Sequence, residues 1–133
     1  MLNLKKLLTK ILTTPMVIEQ GTSGIWTYRK WSDGTAECWG RGMVNGTWSA
    51  WGNVYYLESP FAFPFTFASA PVVQAWAPSM STINLNSVMS VGSYSARDES
   101  YQRFGCNLAL IRPSAGTNNA DYAVHIYVIG KWK

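Results

Sequence analysis

The sequence predicts an all-β fold, an antiparallel β-sandwich of about six to eight strands, preceded by a short amphipathic helix. After Gly24, apolar residues alternate with polar ones along most of the chain, and clusters of Ser, Gly, Asn, Asp and Pro separate these runs at regular intervals. No helical pattern lies between the runs, as parallel βαβ units would require. The length of 133 residues suits one such domain.

The amino-terminal segment, residues 1–16, predicts the helix. Its apolar residues recur at helical spacing, and they are Leu4, Leu7, Leu8, Ile11 and Leu12. Pro15 disfavours helix at Thr14, so the helix has about three turns and needs a partner for its apolar stripe. That partner can be its own sandwich, other copies of the helix or a membrane surface. We expect an oligomerisation or docking segment without membrane insertion, in which Leu4, Leu8 and Ile11 form part of an interface.

Two aromatic-rich alternating runs, residues 25–32 and 35–41, predict a β-hairpin. They meet at Asp33-Gly34, a dipeptide that accepts the positive φ values of a two-residue primed turn. Asn45-Gly46 predicts a second turn of this kind, which leads into a third strand within residues 47–58 and completes a meander. The hairpin's aromatic residues are expected in the core and at a subunit interface, the interface residues being Trp26, Tyr28 and Trp31.

The remaining runs complete a head domain over residues 17–133. Prolines bracket the phenylalanine-rich residues 61–70, which we interpret as an edge strand or a crossover because proline is excluded from central strands. Further strands are predicted at residues 72–77, 85–94, 104–112 and 122–132. The last two strands have the clearest core pattern, formed by Phe104, Cys106, Leu108 and Leu110 and by Tyr122, Val124, Ile126 and Val128.

The composition favours an oligomer and argues against several functions. Only 14% of the residues are charged, whereas there are seven Trp and seven Tyr, so apolar area is expected in a subunit interface. The net charge of +4 comes largely from lysines near the two ends, and without a basic stripe we expect no nucleic-acid partner. Lys10 interrupts the apolar run that a signal peptide needs, so we expect cytoplasmic synthesis without a leader.

No catalytic constellation, metal site or cofactor is predicted. His125, the one histidine, lies within a strand run, and there is no G-x-S-x-G elbow. Most of the seven acidic residues lie in turns, at strand ends or in a polar loop, although a small depolymerase acting through Asp98 or Glu99 stays an alternative. Cys38 and Cys106 can form a bridge or remain two buried thiols, and two cysteines do not make a zinc site.

Two polar loops are the candidates for ligand binding. The loop of residues 93–104 carries Tyr94, Arg97, Asp98, Tyr101 and Arg103, and the loop of residues 114–121 carries Asn118 and Asn119. Sugars are bound by aromatic faces together with planar carboxylate, amide or guanidinium groups, and these loops hold both kinds. The alternative is that both loops only connect strands, since Gly and Asn are ordinary turn residues.

Two segments resemble the carboxy-terminal domains of phage and prophage tail-fibre or minor structural proteins from gut Firmicutes. They read EQGTSGIWTYRKWSDGTAECWG and YYLESPFAFPFTFASAPVVQAW, residues 19–40 and 55–76. The shared pattern is an aromatic strand followed by GTAECWG, then the FPFTFASAPVV passage, then a closing alternating strand, over about residues 17–132. Such domains look like the H-type lectin sandwich, which trimerises at fibre tips and faces the host. In contrast to long fibre proteins, here a short helix directly precedes the head.

The resemblance implies a homotrimeric, receptor-binding virion protein of the phage tail that attaches to a bacterial surface glycan and contacts other tail components. It implies no catalysis and no cofactor. Its motifs match core and turn positions, so it supports the class of protein and not the ligand. The alternative is a structural virion or prophage protein in which subunit packing consumes the whole aromatic surface and no ligand is bound.

Overall fold

The computed structural model describes residues 3–76, 88–93, 99–113 and 120–133. Within these residues the chain forms nine strands and two helices. In chain order they are α1 (Leu4–Thr13), β1 (Val17–Ser23), β2 (Trp26–Trp31), β3 (Thr35–Gly46), β4 (Ser49–Trp51), β5 (Val54–Ala62), β6 (Val72–Trp76), β7 (Val88–Ser93), α2 (Glu99–Gln102), β8 (Gly105–Arg112) and β9 (Ala120–Lys131). The all-β prediction with an amino-terminal helix is confirmed.

The strands form two antiparallel sheets that share one core. The first sheet has the order β1-β2-β3-β9-β6, and the second has the order β4-β5-β8-β7. The alternating residues of β3, β5, β8 and β9 fill the space between the sheets, as an antiparallel sandwich requires. An H-type lectin-like topology stays a prediction.

The core contains six of the eight residues that the two last strand patterns predicted, and Tyr122 is only partly buried and packs against it. Leu108, Leu110, Val124 and Ile126 are all at most 1% exposed. Phe104, in contrast, is 54% exposed, because it precedes β8 and lies outside the ladder whose alternation would have turned it inward. The prediction of Phe104 as a core residue is therefore wrong.

The two cysteines are free, buried thiols on facing sheets. Cys38 lies on β3 and Cys106 on β8, and both belong to the core. Burial raises the pKa of the Cys106 thiol to about 12 and also raises the pKa of Cys38 far above its usual range. Of the two alternatives drawn from the sequence, the structure has the unbridged thiols.

The turn at Asp33-Gly34 joins β2 and β3 but differs from the predicted type. Only Gly34 has a positive φ, 90°, and its amide donates to the Trp31 carbonyl at 3.1 Å. The Asp33 carboxylate accepts from the Thr35 amide at 2.9 Å, which holds the pKa of Asp33 below its usual range. The connection is therefore a longer turn closed by a left-handed glycine, and the two-residue primed turn is wrong.

The predicted turn at Asn45-Gly46 is also wrong, because β3 continues through both residues. They pair with Asp121 and Ala120 of β9, and the chain then crosses to the second sheet. The predicted third strand is in fact a hairpin, β4–β5, that turns at Gly52-Asn53 with a φ of 59° at Gly52. This sign of φ at the first turn residue alone is typical of a type II′ turn.

Strand β1 was not predicted. It is the edge strand of the first sheet and is almost wholly exposed, so its sequence VIEQGTS lacks the alternation by which a half-buried strand is detected. It pairs with β2, and Glu19 lies 3.2 Å from the Lys30 ammonium.

The phenylalanine-rich segment is partly strand and partly crossover, in line with its interpretation. Pro60 lies within β5, beyond the part that β4 covers, where a missing amide costs no ladder bond. Residues 63–71 then return to the first sheet. Phe67 is fully buried. Its amide donates to the Arg103 carbonyl at 3.1 Å, and its carbonyl accepts from the Nε of Arg103 at 2.6 Å.

Helix α1 has an unpartnered apolar stripe. Asn3 caps it by accepting from the Lys6 amide at 3.1 Å, and Pro15 follows its end. No residue of the helix is buried, so the sandwich of its own chain does not cover the stripe. Within the described part of the chain, no helix is long and apolar enough to span a membrane.

Candidate functional site

An open groove crosses the outer face of the second sheet. It has a volume of about 330 Å³ and is lined by Trp51, Tyr56, Glu58, Ala109 and Ile111. We call it the Trp51 groove. It is the candidate site because it combines aromatic, apolar and charged side chains on a solvent-facing surface.

Strand register brings these residues together. Tyr56 pairs with Ile111 and Glu58 with Ala109, so the four side chains share the outer face of β5 and β8. The tight turn at Gly52 places Trp51 opposite Val54, which has the same orientation on β5 as Tyr56 and Glu58. The indole therefore stands at one end of the groove, and the carboxylate stands two residues along β5 from the phenol.

The groups of the Trp51 groove are free to bind. Trp51 is 66% exposed. Among the described residues, the Glu58 carboxylate has neither a hydrogen bond nor an ion pair, and it is the one charged group of the lining. Ala109 and Ile111 form an apolar floor. The arrangement offers a flat aromatic face and a carboxylate that accepts hydrogen bonds.

The outer face of the first sheet holds a second aromatic surface whose charges are already paired. Arg29 lies 3.3 Å from Glu37, and its guanidinium stacks 4.8 Å from the centre of the Trp39 ring. Tyr127 donates a hydrogen bond to Glu37, which raises the pKa of Tyr127 to about 12. A groove of about 400 Å³ lies beside this network. Because Arg29 occupies a face of Trp39, this surface is less available to a ligand than the Trp51 groove.

Of the predicted ligand-binding residues, five lie outside the described residues: Tyr94, Arg97, Asp98, Asn118 and Asn119. Tyr101 is 51% exposed on the short helix α2, and neither it nor Arg103 lines the Trp51 groove. Arg103 holds the crossover through its bond to Phe67, which gives it a structural role. The ligand-binding role of these residues stays a prediction.

The predicted interface residues divide into two groups. Leu4, Leu8 and Ile11 are 71%, 58% and 49% exposed and are available to a partner. Trp26 is only 5% exposed, and its indole donates to the Ala62 carbonyl at 2.6 Å, so it has little surface left for another subunit. Tyr28 and Trp31 are half-buried. The interface itself stays a prediction.

The residues of the Trp51 groove were missed because the turn at Gly52-Asn53 was missed. With residues 47–58 interpreted as one strand, Trp51 and Tyr56 could not be placed across a turn from each other. The glycine between two aromatic pairs, WSAWGNVYY, was the signal that could have revealed this hairpin. No signal in the sequence gave the pairing of Glu58 with Ala109.

The described residues hold no cluster of three or more His, Cys, Asp or Glu side chains that could bind a metal ion. His125 instead stacks on Trp76, with ring centres 5.5 Å apart and an angle of 27° between the planes. This contact gives His125 a packing role on the outer face of the first sheet.

No protein-family model matches the chain. No curated protein matches it. Among solved structures, it is similar to the P. aeruginosa R1 pyocin fiber comprising C-terminal residues 323–701, with 17% identity, a TM-score of 0.41, and coverage of 86% of this chain and 28% of that chain. It is also similar to the N-truncated R1-type pyocin tail fiber, with 15% identity, a TM-score of 0.44, and coverage of 98% of both chains. The chain thus spans little more than a quarter of the first structure. At these scores the likeness carries no functional argument.

Proposed function

We propose that the chain is a non-catalytic attachment domain of the phage tail-fibre type, which self-associates and binds a neutral bacterial surface glycan through the Trp51 groove. The observation that carries this proposal is that one groove holds both the Glu58 carboxylate, unpaired among the described residues, and an indole that is 66% exposed. The resemblance of residues 17–132 to tail-fibre heads supports the biological setting, a virion tail.

The aromatic side chains suit the apolar face of a sugar ring. A pyranose presents C–H groups on one face, and it can cover an indole without desolvating a charged group. Trp51 and Tyr56 provide two such rings, and Ala109 and Ile111 provide apolar contacts below them. Stacking of this kind binds the ring plane but does not determine which hydroxyls are present.

The carboxylate gives the specificity. An ionised Glu58 accepts two hydrogen bonds, which matches a pair of neighbouring hydroxyls. Because the described residues that line the groove include Glu58 and no Lys or Arg, we expect uronic acids and phosphate-bearing glycans to be repelled. Neutral hexoses and deoxyhexoses are therefore the favoured class of ligand.

A panel of neutral and acidic bacterial oligosaccharides tests this proposal. The wild-type chain should bind members of the neutral group, and Glu58→Gln should weaken that binding by about tenfold because one charge-assisted acceptor is lost. Glu19→Gln is the matched control, since it removes an exposed carboxylate from the opposite sheet. Silence across the panel, or equal losses in both variants, would contradict carbohydrate binding at this groove.

A structural virion protein without a ligand is the second candidate. The paired charges around Trp39 and the exposed apolar stripe of α1 favour it, because both are surfaces that subunit packing can consume. In that case the chain co-purifies with assembled tail particles, and substitutions in the Trp51 groove leave attachment to host cells unchanged.

A further inference from the structure

Among the described residues, two exposed apolar surfaces have complementary shapes, a helix stripe and a groove. The first is the α1 stripe of Leu4, Leu7, Leu8, Ile11 and Leu12, whose exposures range from 40% to 76%. The second is a groove of about 430 Å³ beside the β1–β2 turn, which we call the Phe61 groove. Its rim includes Ile25 and Met43, which are 42% and 43% exposed, and its floor includes Trp26 and Phe61.

We infer that the α1 helix of one subunit packs in the Phe61 groove of a second copy. This inference rests on the self-association included in the proposed function but not on glycan binding. It differs from the sequence-based alternative of helices packed only on one another, because it gives the stripe and the groove one common use.

The helix of the same chain cannot fill this groove. Met16 is fixed to the β2–β3 turn, since its carbonyl accepts from the Ser32 amide at 2.8 Å and its amide donates to the Ser32 hydroxyl at 3.0 Å. Strand β1 then runs from Val17 to Ser23 before the chain reaches the groove, a distance of roughly 20 Å. With only Thr14 and Pro15 as a linker, no more than the amino-terminal tip of α1 reaches it.

The floor of the groove is preformed. The Phe61 ring lies against Gly42, where an added Cβ would be 2.2 Å from the ring. The Trp26 ring contacts Phe63 edge to face at 5.9 Å, and its indole nitrogen is bonded to the Ala62 carbonyl. A helix that docks here therefore meets ordered side chains, and little conformational entropy is lost on the receiving side.

The available area is sufficient for an interface. The exposed parts of the five stripe residues amount to roughly 500 Å², so one helix–groove contact buries at most about 1,000 Å² when both sides are counted. Specific interfaces begin near this size. In a closed assembly each subunit gives one helix and receives one, so every subunit takes part in two such contacts.

Charge also favours the groove over a bundle of helices. The helix carries Lys5, Lys6 and Lys10 and no acidic residue, so helices that pack side by side bring like charges together. The described residues that line the Phe61 groove include no charged side chain. A docked helix can therefore bury its stripe and leave its lysines in water.

Mixing two assembly-deficient variants of the full chain tests the inference. Leu8→Asp places a charge in the apolar stripe of α1, and Met43→Asp places a charge on the rim of the Phe61 groove. Both residues are exposed, so each variant should keep the fold and the circular dichroism spectrum of the wild type. We expect a multimer for the wild type by light scattering, monomers for each variant alone, and a 1:1 heterodimer for the mixture, in which one intact helix meets one intact groove. Thr9→Asp, on the polar helix face, should remain multimeric.

Three outcomes would overturn the inference: a monomeric wild type at micromolar concentration, a multimer formed by either variant alone, or a mixture that stays monomeric. Oxidative cross-linking distinguishes helix–groove docking from a bundle of α1 helices. Leu8→Cys combined with Met43→Cys should link subunits, whereas linkage by Leu8→Cys alone would indicate a bundle. Both Asp variants leave the Trp51 groove intact. If the wild type and both variants all fail to bind glycans, that result refutes only glycan binding in the proposed function and leaves the helix–groove contact standing.

Discussion

Replacing Trp51 with alanine tests the carbohydrate site most directly. An aromatic side chain of this size presents at most about 250 Å², and with 66% of the residue exposed the indole keeps roughly 160 Å² in solvent. A sugar that stacks on one face covers about half of that, roughly 80 Å². At about 25 cal/mol per Å² this contributes about 2 kcal/mol, so Trp51→Ala should raise Kd about thirtyfold.

The same substitution also lowers stability, so the assay has to separate the two effects. The buried third of the indole corresponds to at most about 2 kcal/mol of the free energy of unfolding, which leaves the domain folded at 25 °C. Isothermal titration with the best neutral oligosaccharide of the panel measures Kd, and thermal unfolding measures the stability loss in parallel.

Trp76→Ala is the matched control. Trp76 is 51% exposed on the opposite sheet and stacks on His125, so its removal costs similar stability without touching the Trp51 groove. Equal Kd values for the wild type and Trp51→Ala, or equal losses in the two tryptophan variants, would refute the assignment of the groove.

Three further predictions concern the fold. Gly42→Ala should lower the free energy of unfolding in urea by about 1–3 kcal/mol, because the added Cβ would meet the buried Phe61 ring. Adding Phe61→Leu to this variant should recover part of that loss. An unchanged free energy of unfolding in Gly42→Ala would contradict the close approach. The hydrogen bond to Glu37 raises the pKa of Tyr127 to about 12, so its stabilising effect is complete below pH 10 and is lost as the pH rises to 12. Tyr127→Phe should lose less stability than the wild type over that interval. Parallel curves of unfolding free energy against pH for the two proteins would count against the bond. With the pKa of Cys106 raised to about 12 and its partner thiol equally buried, iodoacetamide at about pH 8 should modify neither thiol until the chain unfolds; rapid labelling of the native protein would disprove their burial.

Local patterns in the sequence were sufficient for much of the fold. The alternation of Leu108 and Leu110, and of Val124, Ile126 and Val128, identified strands and their buried faces. Successive side chains of a strand point to opposite faces, so a strand buried on one face shows an apolar residue at every second position. The helix was equally local, since its apolar spacing and Pro15 determine its face and its end.

Patterns failed where a non-local partner decided the outcome. Asn45-Gly46 has the chemistry of a turn, yet both residues pair with β9 and continue β3, with Gly46 at a positive φ of 129°. The exposed strand β1 has no alternation to detect, and its existence depends on the hydrogen bonds of β2.

The candidate site shows the same limit. The sequence indicated two polar loops as candidates for ligand binding, and that role stays a prediction. The Trp51 groove could not be predicted, because it lies on a sheet face that strand register assembles.

The sequence by itself thus determined the class of fold, the faces that enter the core and the amphipathic helix, all of which follow from the spacing of apolar residues. Only the tertiary structure decided that Glu58 lies beside Ala109, that Trp51 stands at the end of the same groove, and that α1 and the Phe61 groove are left uncovered in one subunit. The physical reason is that strand register and sheet assignment depend on contacts between residues far apart in the chain. The spacing of apolar residues within one segment does not show which distant segment it pairs with.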